Sequence, residues 1–238
     1  MNLDVIVFAA HPDDAELSMG GTIAKMSQKD LKVGIIDLTR GEMGTRGNAD
    51  TRQQESLKAS EILKTTVREN LLIPDGDIQL TNGNVEKVII AIRKYYPKII
   101  FAPYIKDRHP DHISASKLVK RAMFASGLPK IITSENEKDQ KAYRPERLFY
   151  YMQAYTFEPS FIVDISDFFE TKMKSVMAYN TQFHNPESDE PETFISSPEF
   201  IEYVEARAKF YGFQIGRKFG EPFFSEQQIE LDITSFFR

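Results

Sequence analysis

The chain has 238 residues, of which 41% are hydrophobic and 27% are charged, and its net charge at pH 7 is −5. This composition is typical of a globular protein with a sizeable core, and it excludes disordered and collagen-like chains. The negative charge provides no general attraction to nucleic acid or to an anionic membrane, so we expect a small-molecule partner and neither of those two.

Short apolar runs and amphipathic segments alternate along the first half of the chain. The runs predict buried strands at residues 5–10, 33–38 and 98–103, and residues 67–72 are predicted to form a further short strand. The spacing of apolar residues predicts helices at residues 17–29, from a cap at Asp50 to residue 63, at 85–95 and at 113–126. This alternation predicts an α/β fold with a doubly wound, mostly parallel sheet and helices on both faces.

The pattern changes at residues 133–146, which are polar and charged. We expect one domain over 1–238, made of a core at 1–132 and a C-terminal α+β extension at 133–238. The extension is predicted to hold strands at 147–153 and 161–164 and helices that begin at caps Asp167 and Ser197. Residues 185–197 lie between those helices and are rich in proline, glutamate and serine, so we predict a long surface loop that covers a site or a subunit contact.

The location of the protein is predicted from features that the sequence lacks. No apolar run approaches the roughly 18 residues that span a bilayer, and the first residues lack the basic flank and cleavage site of a leader. There is no cysteine, which excludes disulfides and thiolate metal ligands and suits a reducing compartment. We therefore expect a cytoplasmic protein.

Two motifs rich in histidine and aspartate follow predicted strands. The first motif, residues 11–16 (HPDDAE), ends the first strand, and the second motif, residues 109–112 (HPDH), follows the fourth. Ligands of an open parallel sheet lie outside the carboxyl ends of its strands, so the two motifs can meet in one crevice. His11 and Asp14, with a histidine of the second motif, can hold a metal and leave one position open, as in catalytic zinc sites; ferrous iron also accepts this set.

The other residues of the motifs can then take catalytic roles. An ionised carboxylate beside the metal can serve as a general base, and a protonated histidine can stabilise an oxyanion, which predicts metal-assisted hydrolysis of an amide or ester. Simpler interpretations exist, because Asp13 and Asp111 could each cap the helix that follows, and a single histidine is more often a surface residue. Two such motifs after buried strands favour a site.

A loop rich in glycine and arginine lies at residues 40–52 and contains three residues of each type. It could bind an anionic group of a substrate, with Arg52 assisted by the positive N-terminus of the next helix. Alternatively, it is a solvated, mobile loop.

The ordered pair of motifs resembles the LmbE/PIG-L family of zinc-dependent N-acetylglucosaminyl deacetylases. The resemblance covers at least the first 125 residues, including the loop at 40–52 and residues 101–103. It implies a Rossmann-like fold, a zinc ion, an N-acetylated sugar substrate, and a homo-oligomer, commonly a hexamer. It also implies the site residues: His11, Asp14 and His112 as zinc ligands, Asp13 as the general base, His109 as a cation beside the oxyanion, and Asp111 as the residue that orients His109.

Within the family, the chain is similar to the branch that deacetylates N-acetylglucosaminyl-malate on the way to bacillithiol. That resemblance implies that Arg52 pairs with a malate carboxylate. Other branches act on chitin-derived disaccharides such as N,N'-diacetylchitobiose, on inositol conjugates and on antibiotic precursors. A hydrolase of non-sugar amides or esters, a non-catalytic metal-dependent binding module and a dinucleotide-binding protein are the remaining alternatives. A binding module would need no base, and the first strand is not followed by G-x-G-x-x-G.

Overall fold

The computed structural model describes residues 1–232 and 234. The strands in this part of the chain are β1 (Val5–Ala9), β2 (Val33–Asp37), β3 (Val67–Asn70), β4 (Ile99–Pro103), β5 (Ser134–Glu135), β6 (Lys138–Asp139), β7 (Arg147–Tyr151), β8 (Phe161–Asp164) and β9 (Gly220–Phe224). The helices are α1 (Asp14–Gln28), α2 (Ala49–Leu63), α3 (Asn82–Tyr95), α4 (Pro110–Ser126), α5 (Phe169–Met177) and α6 (Pro198–Gln214).

Seven strands form one sheet in the order β3-β2-β1-β4-β7-β9-β8. The pairs from β3 to β7 are parallel, whereas β9 pairs antiparallel with both β7 and β8. The predicted α/β fold with a mostly parallel sheet is therefore confirmed. From β1 the chain builds the sheet first toward β2 and then, on the other side, toward β4, so the crevice between β1 and β4 is the place where such sheets bind ligands.

The two faces of the sheet carry separate parts of the core. Ile6 and Phe8 of β1 pack on one face with α3 and α4. Val5 and Val7 pack on the other face with α1. Because helices cover both faces, every residue of β1 is buried, which explains why this strand reads as a continuous apolar run.

The structure differs from the predicted elements in several places. Asn48, not Asp50, caps α2, because its side-chain oxygen accepts the backbone N–H groups of Asp50 and Thr51. Phe168, rather than Asp167, directly precedes α5. The strand β9 was not predicted, and the predicted connection at 133–146 contains the small hairpin β5–β6. Among the described residues, no helix is both long and apolar enough to cross a membrane.

Candidate active site

The sheet brings the two motifs together although they are about a hundred residues apart. β1 and β4 are neighbouring parallel strands, and the motifs follow their carboxyl ends. The ring centroids of His11 and His109 are 4.8 Å apart, and those of His11 and His112 are 5.5 Å apart. The predicted crevice between the first and fourth strands thus contains three of the four histidines of the chain.

Three side chains of this crevice form a set of donors that fits a metal ion. One ligand atom from each of His11, Asp14 and His112 lies within 4.8 Å of the other two. Nε2 of His112 is 3.3 Å from Oδ1 of Asp14, and Nδ1 of His11 is 3.7 Å from Oδ2. Two imidazoles and one carboxylate are the donors of many catalytic zinc sites. His109 and Asp111 form a second group of this kind with His11.

Two further carboxylates determine which ring nitrogen of each histidine is free to bind a metal. Nδ1 of His112 is 2.9 Å from Oδ1 of Asp107, and Nε2 of His11 is 3.0 Å from Oδ1 of Asp75. A carboxylate can only accept, so the nitrogen beside it carries the hydrogen. The nitrogens left to bind a metal, once any proton on them is lost, are therefore Nε2 of His112 and Nδ1 of His11, and both of them face Asp14.

Protons compete with a metal for this set of donors. Burial by itself lowers the pKa of His112, but the charge of Asp14 and the hydrogen bond to Asp107 raise it to about 9. Metal binding must therefore displace a proton, so we expect the affinity to fall as the pH falls.

Asp75→Asn and Asp107→Asn are each expected to weaken metal binding roughly 10- to 100-fold, because each removes the charge that fixes a ligand tautomer. Competition with a chromophoric chelator measures the affinity without depending on turnover. Asp77→Asn is the matched control, since Asp77 is exposed in the same turn as Asp75. Affinities equal to that of the control would show that neither carboxylate orients a ligand.

Asp13 does not cap the helix that follows it. It occupies the N-cap position of α1 in a left-handed conformation with φ of 114°, and its side chain makes no capping hydrogen bond. Such a backbone is strained for a residue other than glycine, and its carboxylate lies on the wall of the same cavity as the metal donors. Burial raises the pKa of Asp13 to about 7, against the charge of Arg52, which lowers it. A carboxyl group with this pKa can exchange a proton near neutral pH.

Arg52 lies in the first turn of α2 and contacts the first motif directly. Its Nη1 donates to the backbone carbonyl of Pro12 at 2.9 Å and to Oδ2 of Asp13 at 3.2 Å. The glycines of the loop make room for it, since a Cβ at Gly41 or Gly44 would lie 3.2 or 3.1 Å from its guanidinium. The glycine-rich loop therefore wraps around a buried arginine.

The second motif caps α4 with His109. Nδ1 of His109 accepts the backbone N–H of Asp111 at 3.2 Å, so the ring hydrogen is on Nε2. The carboxylate of Asp111 instead accepts from the backbone N–H of Gly76 at 2.9 Å and lies 3.3 Å from Nε2 of His11. The carboxylate of Asp111 therefore neither caps α4 nor forms a hydrogen bond with His109.

A buried ionic cluster lies beneath the motifs and was missed by sequence reasoning. The guanidinium of Arg68 on β3 donates to both oxygens of Asp37, at 2.8 and 2.9 Å, and also to Glu16 of the first motif. Tyr179 donates to the same Glu16 oxygen at 3.1 Å. The cluster ties the start of α1 to two strands and to the segment after α5.

Asp75, Asp107, Arg68 and Gln153 are the residues of this region that the sequence did not reveal. Gln153 donates to Oδ1 of Asp14 at 2.5 Å. Position in the chain could have indicated two of them as site residues. Asp107 lies two residues before the second motif, and Asp75 follows β3 at the same edge of the sheet. Each of them resembles an ordinary turn residue in sequence.

A cavity of about 880 Å³ opens from the metal donors toward α6 and the segment at 185–197. This segment, predicted to cover a site, lines the cavity with Thr193, Phe194 and Ile195, and α6 contributes Phe200 and Tyr203. The volume lies near the upper end of the roughly 300–1,000 Å³ of small-molecule sites. The cavity therefore has space for a ligand that extends well beyond the metal donors.

Comparison with known proteins agrees with these features. The PIG-L family model, described as GlcNAc-PI de-N-acetylase, matches residues 6–123. The crystal structure of the conserved protein TT1542 from Thermus thermophilus is 37% identical, with a TM-score of 0.85, and the match covers 97% of this chain and 98% of that one.

Two curated relatives have named activities. Diacetylchitobiose deacetylase of Thermococcus kodakarensis is 29% identical over 91% of this chain and 80% of its own length. A Bacillus subtilis protein named "Probable N-acetyl-alpha-D-glucosaminyl L-malate deacetylase 2" is 24% identical over 76% of this chain and 84% of its own length. Because the matched region of the family carries both motifs, the chain belongs to the PIG-L family and is an N-deacetylase.

Proposed function

We propose that the chain is a zinc-dependent hydrolase that removes the acetyl group from an N-acetylglucosaminyl conjugate, and that the conjugate is N-acetylglucosaminyl-L-malate of bacillithiol biosynthesis. The observation that carries the reaction is the position of Asp13. It is a buried carboxylate in the same cavity as His11, Asp14 and His112. The malate conjugate is supported by the resemblance of the motifs and by the name of the Bacillus subtilis relative.

The residues of the site have separate roles in the reaction. His11, Asp14 and His112 would hold zinc, which when bound supplies Lewis-acid polarisation of the acetyl carbonyl. Asp13 takes a proton from the attacking water and later gives it to the departing amine, so that acetate and a free glucosamine amine are the products.

Arg52 positions the base, and His109 stabilises the negative charge that develops on the acetyl oxygen. Arg52 holds the carboxylate of Asp13 in place through the contact at 3.2 Å. His109 donates from Nε2 to the oxyanion that develops on the acetyl carbonyl, because its Nδ1 is occupied by a backbone N–H.

N,N'-Diacetylchitobiose is a second candidate substrate. The relative from Thermococcus kodakarensis is a diacetylchitobiose deacetylase, and it matches 91% of this chain. Phe200 and Tyr203 supply aromatic surface on the cavity wall, against which the C–H groups of a second sugar ring can pack. The two candidates differ in the group beyond the acetylated sugar, since malate is acidic and the second sugar is neutral.

Amine release from three substrates tests the proposal: the malate conjugate, diacetylchitobiose and N-acetylglucosamine. The purified protein is loaded with zinc or, without oxygen, with ferrous iron, and is assayed again after chelation. We expect release that chelation abolishes and that is fastest for the malate conjugate. Fastest release from diacetylchitobiose would favour the second candidate, and metal-loaded protein inactive on all three would refute the deacetylation of these sugars.

A further inference from the structure

Three arginines line the cavity that contains the metal donors: Arg52, Arg108 and Arg207. Two of them are occupied by the protein itself. Arg52 donates to Pro12 and Asp13, and Arg207 donates to the backbone carbonyls of Gln153 and Leu17. Both bonds of Arg52 come from Nη1, and those of Arg207 come from Nη1 and Nη2, so the protein already engages part of each guanidinium.

Arg108 differs from the other two. It is exposed, and within residues 1–232 and 234 its guanidinium makes no hydrogen bond or salt bridge. Its central carbon instead lies 4.3 Å from the centroid of the Phe194 ring. A guanidinium stacked on an aromatic ring uses its flat face for that contact, so its N–H groups remain available at the edge.

The surroundings keep this guanidinium available. Asp107 and Glu199 line the same cavity as Arg108, and both already accept hydrogen bonds. Asp107 accepts from the backbone N–H of Ala154 and contacts His112. Hydrogen bonds from its own backbone and from Ser197 lower the pKa of Glu199.

Phe194 is itself anchored, although 65% of its surface is exposed. It meets Phe200 of α6 edge to face, with a centroid distance of 5.8 Å. The segment at 185–197 is also tied to the glycine-rich loop, because Glu190 accepts the backbone N–H of Gly47 at 2.7 Å. The ring beneath Arg108 therefore packs against α6, and the segment that carries it is fixed to the glycine-rich loop.

We propose that Arg108, stacked on Phe194, binds a carboxylate of the group attached to the acetylated sugar. A carboxylate matches the edge of a guanidinium with two parallel hydrogen bonds. Arg108 directly precedes His109 and lines the same cavity as the metal donors, so one molecule can reach both places. The substrate class is thus a glucosaminide of a small carboxylic acid. This inference rests on the proposed function and assigns the carboxylate to Arg108, whereas the sequence resemblance assigned it to Arg52.

The test compares kcat/KM for N-acetylglucosaminyl-malate with kcat/KM for N-acetylglucosamine. Arg108→Ala is expected to lower the ratio of the two values roughly 10- to 100-fold, the usual effect of hydrogen bonds to a charged group. Arg108→Lys should lower the ratio less, since the charge remains while the fork is lost. Phe194→Leu should also lower it, mainly through KM for the malate conjugate. Arg52→Ala should reduce turnover of both substrates and leave the ratio near that of the wild type.

Arg121→Ala is the matched control, because Arg121 is exposed on α4 and is not among the residues that line the cavity. An unchanged ratio in Arg108→Ala, with wild-type protein active on the malate conjugate, would overturn the inference while leaving the deacetylase in place. If the ratio fell in Arg52→Ala and not in Arg108→Ala, Arg52 and not Arg108 would bind the carboxylate of the substrate. Metal-loaded wild-type protein that deacetylates neither substrate would overturn both this inference and the proposed function.

Discussion

Asp13→Asn is expected to lower kcat roughly 10²- to 10⁴-fold, the usual contribution of a positioned general base. The amide cannot take the proton of the attacking water, yet its size is nearly that of the carboxylate. Metal binding should persist, because Asp13 is not one of the three donors that lie within 4.8 Å of one another. Initial rates and metal content, measured on the same preparation, separate loss of the base from loss of the metal.

The pH dependence of kcat/KM tests the same assignment of Asp13 as the general base. Burial raises the pKa of Asp13 and the charge of Arg52 lowers it, so removing that charge in Arg52→Ala should raise the pKa further. A base must be ionised to act, and the acid limb of kcat/KM should therefore move to higher pH. Asp50→Asn, an exposed change at the start of α2, should alter neither rate nor profile. An Asp13→Asn enzyme as fast as the wild type would exclude Asp13 as the base.

The parts of the fold that sequence predicts well are those with local causes. A strand of a parallel sheet covered by helices must be apolar on both faces, so β1 and β4 read as short continuous runs. The candidate metal donors were equally visible, because His11 and Asp14 lie three residues apart and His112 belongs to a second compact motif. The rule that ligands bind at the carboxyl ends of strands then brings the motifs together.

Contacts between distant segments were not predictable in this way. Asp75 lies 64 positions from His11, and in sequence it looks like a turn residue beside Pro74 and Gly76. The strand β9 contains Glu221 and Pro222, which disfavour a strand by propensity. The structure gives Glu221 a buried role, since its carboxylate accepts the backbone N–H groups of Gly21 and Thr22 and pairs with Lys172. Tertiary contacts thus outweigh local preference at β9.

The role of Arg52 shows the same limit at the site itself. A glycine-rich loop with several arginines predicts an anion site but does not say which guanidinium remains available. The answer depends on which oxygen atoms the fold places around each arginine. Asp13 and the carbonyl of Pro12 accept hydrogen bonds from Nη1 of Arg52, whereas Arg108 meets an aromatic ring.

Arg68→Met is expected to lower the free energy of unfolding by about 3–5 kcal/mol, the range for breaking a buried ion pair by removing one partner. The substitution would leave the carboxylates of Glu16 and Asp37 buried without their cation. Burial already raises the pKa of Asp37 despite the charge of Arg68, so its carboxylate depends on that partner. The midpoint of urea denaturation, with the slope of the transition, measures the loss.

Two further variants identify the cause of this loss. Lys120→Met removes the cation of the Lys120–Glu226 pair, whose side chains are 57% and 36% exposed, and should cost no more than about 1 kcal/mol. A variant that combines Glu16→Gln, Asp37→Asn and Arg68→Met should recover much of the stability that Arg68→Met alone loses, because no unpaired charge remains buried. If the combined variant were as unstable as Arg68→Met alone, the loss would come from packing and not from charge. The cluster joins the start of α1 to β2 and β3. If the combined variant regained both stability and metal affinity, the cluster would support the fold beneath the site.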